Sequence, residues 1–77
     1  MVTYNLKDNA DNVTINVYDV IGQKVRTLAK EPQKAGVHKI NWNGDNDKGT
    51  LLKNGLYFYT LEINGSVLRT NRLVISR

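Results

Sequence analysis

Seventy-seven residues make one small domain, and a chain without cysteine has no disulfide, no thiolate nucleophile and no Cys-based zinc site. The formal net charge is +4, from eleven Lys and Arg against seven Asp and Glu, and the bases are dispersed, whereas nucleic-acid binders gather theirs on one element. No apolar run approaches the roughly 20 residues of a membrane helix, so membrane insertion is not expected.

The chain opens on strand-like alternation over residues 1–6 (MVTYNL), which reads as the start of a piece cut from a longer protein. Residues 8–12 (DNADN) read as a turn. Residues 13–19 (VTINVYD) alternate cleanly, with Val13, Ile15 and Val17 on one face and Thr14, Asn16 and Tyr18 on the other, as in a half-buried strand. Gly22 supplies a tight turn into residues 23–29, where Val25 and Leu28 stand three apart and break the alternation, as a bulge or a half-turn would. Residues 30–36 hold the single proline, Pro32, and read as a polar loop.

Alternation resumes over residues 37–43 (VHKINWN), with Ile40 and Trp42 facing one way. A long turn-rich stretch follows through residues 44–55, and residues 56–63 (LYFYTLEI) are the richest β segment. Asn64 and Gly65 then separate that segment from a last strand over residues 67–76. Asn-Gly between alternating runs is a strong hairpin signal, because a type I′ turn needs positive φ at both central positions. A two-residue loop predicts Ile63 opposite Ser66, Leu61 opposite Leu68 and Tyr59 opposite Thr70. The expected fold is all-β: an Ig-like two-sheet β-sandwich of six or seven mostly antiparallel strands forming a single domain over residues 1–77. Gly22, Trp42, Gly55, Tyr57, Tyr59 and Leu61 are its expected determinants, with Trp42 sealing one end.

Several segments, taken together, resemble a known family. They are residues 13–22 (VTINVYDVIG), 25–28 (VRTL), Ala35 and Gly36 with His38, residues 42–44 (WNG), 47–49 (DKG), 54–61 (NGLYFYTL) and 71–75 (NRLVI). In that order they are similar to the FlgD-like Ig domain and to the type A C-terminal sorting domain of the type IX secretion system. The sorting resemblance implies a C-terminal module of a larger secreted protein, without chemistry of its own. Such a module directs its cargo to the cell surface after periplasmic transit, with the secretion machinery as partner. The FlgD-like resemblance implies instead a structural Ig module or self-assembling subunit of an extracellular appendage, whose partners are neighbouring domains or further copies. Residues 42–44 and 47–49 lean towards the FlgD-like pattern and the Arg-rich last strand towards sorting. The sorting role is the leading expectation and the structural module the alternative.

Candidate sites are few. His38 is the single histidine, with no second His or Cys beside it, so it reads as a packing or edge residue, and neither Ser66 nor Ser76 stands in a catalytic pattern. No cofactor is expected, and no enzymatic activity. Asp45 and Asp47 are weak calcium candidates: they sit at alternate positions in a turn, but Lys48 follows and residues 50–55 carry no acid. Arg69, Arg72 and Arg77 punctuate the last strand and are partner-binding candidates, or gatekeepers against edge-to-edge aggregation. Tyr4, Tyr18 and Phe58 are candidates for an aromatic strip that meets a carbohydrate or protein partner, but the favoured reading has Phe58 filling the second layer of the sandwich and the tyrosines covering edges.

Overall fold

A computed structural model describes residues 2–77. The described residues form six strands: β1 (Val2–Leu6), β2 (Ala10–Tyr18), β3 (Lys24–Gln33), β4 (Gly36–Ile40), β5 (Gly55–Ile63) and β6 (Ser66–Ile75). β1 and β4 pair antiparallel as a small sheet, and the other four make an antiparallel sheet in the order β3-β2-β5-β6. The two-sheet all-β architecture is the one the alternation predicts.

The core lies between the sheets. Val13, Ile15 and Val17 of β2 are fully buried, and each contributes about 1.5–3 kcal/mol by leaving water. In register beside them on β5 stand Ile63, Leu61 and Tyr59. From the small sheet, Leu6, Tyr4 and Ile40 close over Val13, Ile15 and Leu61. A second cluster of Val17, Tyr57 and Ile75 takes Trp42, Leu52 and Leu73 against it.

The interrupted alternation near Val25 and Leu28 is a pair of bulges. Ile15 faces Ala29 while Asn16 faces Thr27, which leaves Leu28 as the extra residue; Val17 faces Arg26 while Tyr18 faces Lys24, which leaves Val25. Both extra residues turn apolar side chains towards the core clusters. The loop expected over residues 30–36 is not one. β3 continues through Pro32 to Gln33, because β3 is an edge strand and a residue without N–H is tolerated there. The turn expected over residues 8–12 is likewise shorter, since β2 begins at Ala10 with a register shift before Val13. At the other end β4 stops at Ile40, which leaves Trp42 and Asn43 outside the strand.

The hairpin at Asn64 (φ 51°) and Gly65 (φ 87°) forms as expected, with Ile63 opposite Ser66. Beyond it the predicted register is wrong by one residue. Glu62 faces Val67 and Leu61 faces Arg69, so Leu68 is an extra residue, and Tyr59 faces Asn71 instead of Thr70. A bulge of this kind leaves no trace in hydrophobic alternation, since Leu68 looks like a core residue until the strand is counted from its far end.

Candidate functional site

Residues 41–54 cross from the small sheet to the large one and are held by side chain to backbone bonds together with backbone bonds of their own turns. Trp42 Nε1 donates to the Asp45 carbonyl at 3.0 Å, and its half-buried ring packs on the second core cluster, so it covers that end without being fully enclosed. Asn46 Oδ1 accepts from the amides of Lys48 and Thr50. Asp47 Oδ1 accepts from the Thr27 amide at 3.0 Å and lies 3.6 Å from Arg26 Nη1, while the Asp47 amide donates to the Val25 carbonyl. The Asp47 carboxylate therefore serves the bulged edge of β3. Among the described residues no three His, Asp or Glu side chains gather into a metal-binding group.

Arg77 closes the same end. Its guanidinium donates to three backbone carbonyls, those of Asn43 (3.1 Å), Gly44 (2.8 Å) and Leu52. Asn54 meets the Arg77 main chain in both directions, accepting from its amide at 3.2 Å and donating to its carbonyl at 3.4 Å. One residue on, Gly55 opens β5 with φ 150°. Tyr57 then donates its hydroxyl to the Lys53 carbonyl four residues upstream at 2.7 Å, the tyrosine-corner bond of Ig-type sandwiches. No sequence pattern announced the Arg77 clamp.

The three candidate arginines thus point to three different places. Arg77 grips residues 43–52. Arg69, opposite Leu61, lies on the core side of β6, where it lines a cavity of about 40 Å³ between β1 and β6 with Tyr59, Leu61 and Asn71. That space fits a water molecule and falls far below the roughly 300 Å³ of a small-molecule pocket. Arg72, opposite Phe58, lies on the outer side of the sheet. Of the aromatic strip, Tyr18 and Phe58 are neighbours across β2 and β5 on that outer side, so Phe58 does not fill the space between layers. Tyr4 is elsewhere, stacked on His38 at 5.4 Å with its hydroxyl donating to Gln33 Oε1, and burial pushes its phenol above the usual tyrosine value. His38 Nε2 lies 2.7 Å from the Lys34 carbonyl. Gly22 has φ 85° in the β2–β3 turn, where Asp19 Oδ1 accepts from the Ile21 and Gln23 amides.

Sequence reading also missed a polar network on the outer face. The Thr27 hydroxyl donates to Asn16 Oδ1 at 2.9 Å and Asn16 Nδ2 donates to Glu62 Oε2 at 3.1 Å, tying β3, β2 and β5 together. Thr and Asn at outward parity are the only signal it leaves in the sequence.

These groups hold backbone in place, and together with the two sheets and the tyrosine corner they define a structural Ig-like sandwich module. The FlgD Ig-like domain family model matches residues 1–66, and the chain belongs to that family. Over 52 residues it is 42% identical to the basal-body rod modification protein FlgD of Salmonella typhimurium, and equally to that of Salmonella typhi, covering 68% of this chain and 22% of each relative. The chain therefore spans about a fifth of the length of the curated relatives it matches. A crystal structure of FlgD from P. aeruginosa superposes with a TM-score of 0.69 at 28% identity, over 91% of this chain and 55% of that one.

These relatives overturn the sorting expectation. They are named for the basal-body rod, not for cargo carried by type IX secretion, so the sorting role, the secretion machinery as partner and the cell-surface destination all fall together. The reason lies in the sequence signals: the Arg-rich last strand that favoured sorting spends its arginines on a clamp, a seam and an outer face, and presents no single basic surface.

Proposed function

We propose that the chain is a non-catalytic Ig module of a flagellar basal-body rod modification protein, acting through contacts with neighbouring domains or with further copies of itself. The family match over residues 1–66, joined to 42% identity with FlgD over 52 residues, carries this reading. The internal use of Asp47, His38 and Arg77 as backbone ligands supports a structural role over a catalytic one.

The test is an exchange. In a Salmonella strain whose FlgD lacks the matching segment, residues 1–66 of this chain are inserted in its place and swimming motility is scored. Restored motility supports the assignment. A chimera that accumulates to normal levels without motility, beside a native control that swims, rejects it. Sedimentation velocity across a concentration series separates the two modes of contact, since only self-association shifts the distribution.

A further inference from the structure

We propose that the outer face of the four-stranded sheet, at the end carrying the β2–β3 turn, docks an acidic protein segment with apolar side chains between its carboxylates. Strand register places Lys24, Tyr18, Phe58 and Arg72 in one row across all four strands. Their chain neighbours Val17 and Tyr57 are buried, so by alternation Tyr18 and Phe58 lie on the opposite, solvent side. The next row towards the sheet end pairs Leu56 with Val74, which are 38% and 67% exposed. Val20 and Ile21, at 66% and 81%, project from the adjoining turn. Among the described residues, four of the eight large exposed hydrophobics thus lie at this sheet end and its adjoining turn. Scattered exposed apolar residues are ordinary, but such a group on one sheet end and its adjoining turn, beside two aromatics, marks an interaction surface.

Charge selects the occupant. Lys24 and Arg72 cap the row at either end, separated by three inter-strand steps or about 14 Å. The ion pair formed among the described residues joins Arg26 to Asp47 and leaves both caps without an acidic partner. The acids towards this end are already engaged: Asp47, which lines a cleft with Lys24, with Arg26 and the Thr27 amide, and Asp19 with two amides of its turn; Glu62, further along the face, is held by Asn16. An apolar centre between two cations is complementary to a segment whose carboxylates flank leucine-like or aromatic side chains. A second copy would bring cations against cations. Single-stranded nucleic acid would stack on the aromatics but gains nothing from four aliphatic neighbours. This proposal goes beyond the structural role above and can fail while that role stands.

The test is a titration of the ¹⁵N-labelled chain with a short peptide alternating glutamate and leucine, followed by amide shifts. Parallel titrations use a lysine–leucine peptide and oligothymidine. Shifts should centre on Tyr18, Leu56, Phe58 and Arg72, and weaken with added salt. Arg72→Glu and Val74→Glu, both at exposed positions, should each weaken binding by about tenfold while leaving the thermal melt near that of the parent. The proposal is overturned by no shifts at millimolar peptide, by shifts centred elsewhere, by an equal response to the lysine peptide, or by tighter binding of oligothymidine on this face.

Discussion

A Cβ on Gly44 would overlap Nη2 of Arg77, the same nitrogen that donates to the Gly44 carbonyl at 2.8 Å. Gly44 also holds φ 78°, where side chains are disfavoured. Arg77 is flexible enough to swing aside, but only by abandoning its three carbonyl acceptors. Gly44→Ala should therefore cost about 1–3 kcal/mol, part strain and part lost clamp. Arg77→Ala should cost about 1–2 kcal/mol alone. In urea melts the double variant should be more stable than the sum of the singles implies, because the clamp is lost only once. Strict additivity would show that the two do not compete.

The tyrosine corner makes a separable contribution. Tyr57→Phe keeps the buried ring and deletes the hydroxyl that bonds Lys53. The expected loss is about 1 kcal/mol in equilibrium unfolding, with the dispersed amide spectrum of the folded chain retained.

Register in the last hairpin is checked by a pair of truncations. Leu61 is 4% exposed and faces Arg69, while Leu68 is the bulge residue at 58% exposure. Leu61→Ala should cost about 2–5 kcal/mol, and Leu68→Ala within about 0.5 kcal/mol. Equal costs would restore the unbulged pairing of Leu61 with Leu68.

Tyr4 gives the module a sensitivity to alkali. Its phenol is raised above 10.0, first by burial, with the hydrogen bond to Gln33 lowering it and the nearby charge of Glu31 raising it. The folded state thus holds this proton more tightly than the unfolded chain. The associated stability is complete below pH 10 and is lost as the pH climbs through the folded-state value. Ultraviolet titration of the parent against Tyr4→Phe should isolate a phenol that ionises above the ordinary tyrosine value. The variant should also show a shallower loss of stability in alkali.

Much of the architecture was legible because a half-buried strand writes itself in alternate residues. Residues 13–19 and 56–63 obeyed that rule, and their pairing through Val13, Ile15 and Val17 holds the core. The rule failed where backbone, not side chain, decides. Pro32 looked like a loop because nothing in one sequence says that β3 has no neighbour on that side. Leu68 looked like core because a bulge costs no apolar residue. Arg69 and Arg72 lie on the edge strand β6 and Arg77 two residues past its end, yet their destinations depend on which carbonyls and rings lie within reach. Arg77 was the least legible, since its three acceptors lie 25 to 34 residues earlier in the chain.

Pro32 and the two bulges leave the rims of the larger sheet unequal. On the β3 side an incoming strand meets a missing donor and two dislocations; on the β6 side it meets ten residues with a single one near the hairpin. Growth by strand addition needs two receptive rims on every subunit, and here one is defended. Joining β6 to β6 through this sheet consumes the receptive rim of both partners and ends at a pair, a closed stoichiometry with no route to fibres.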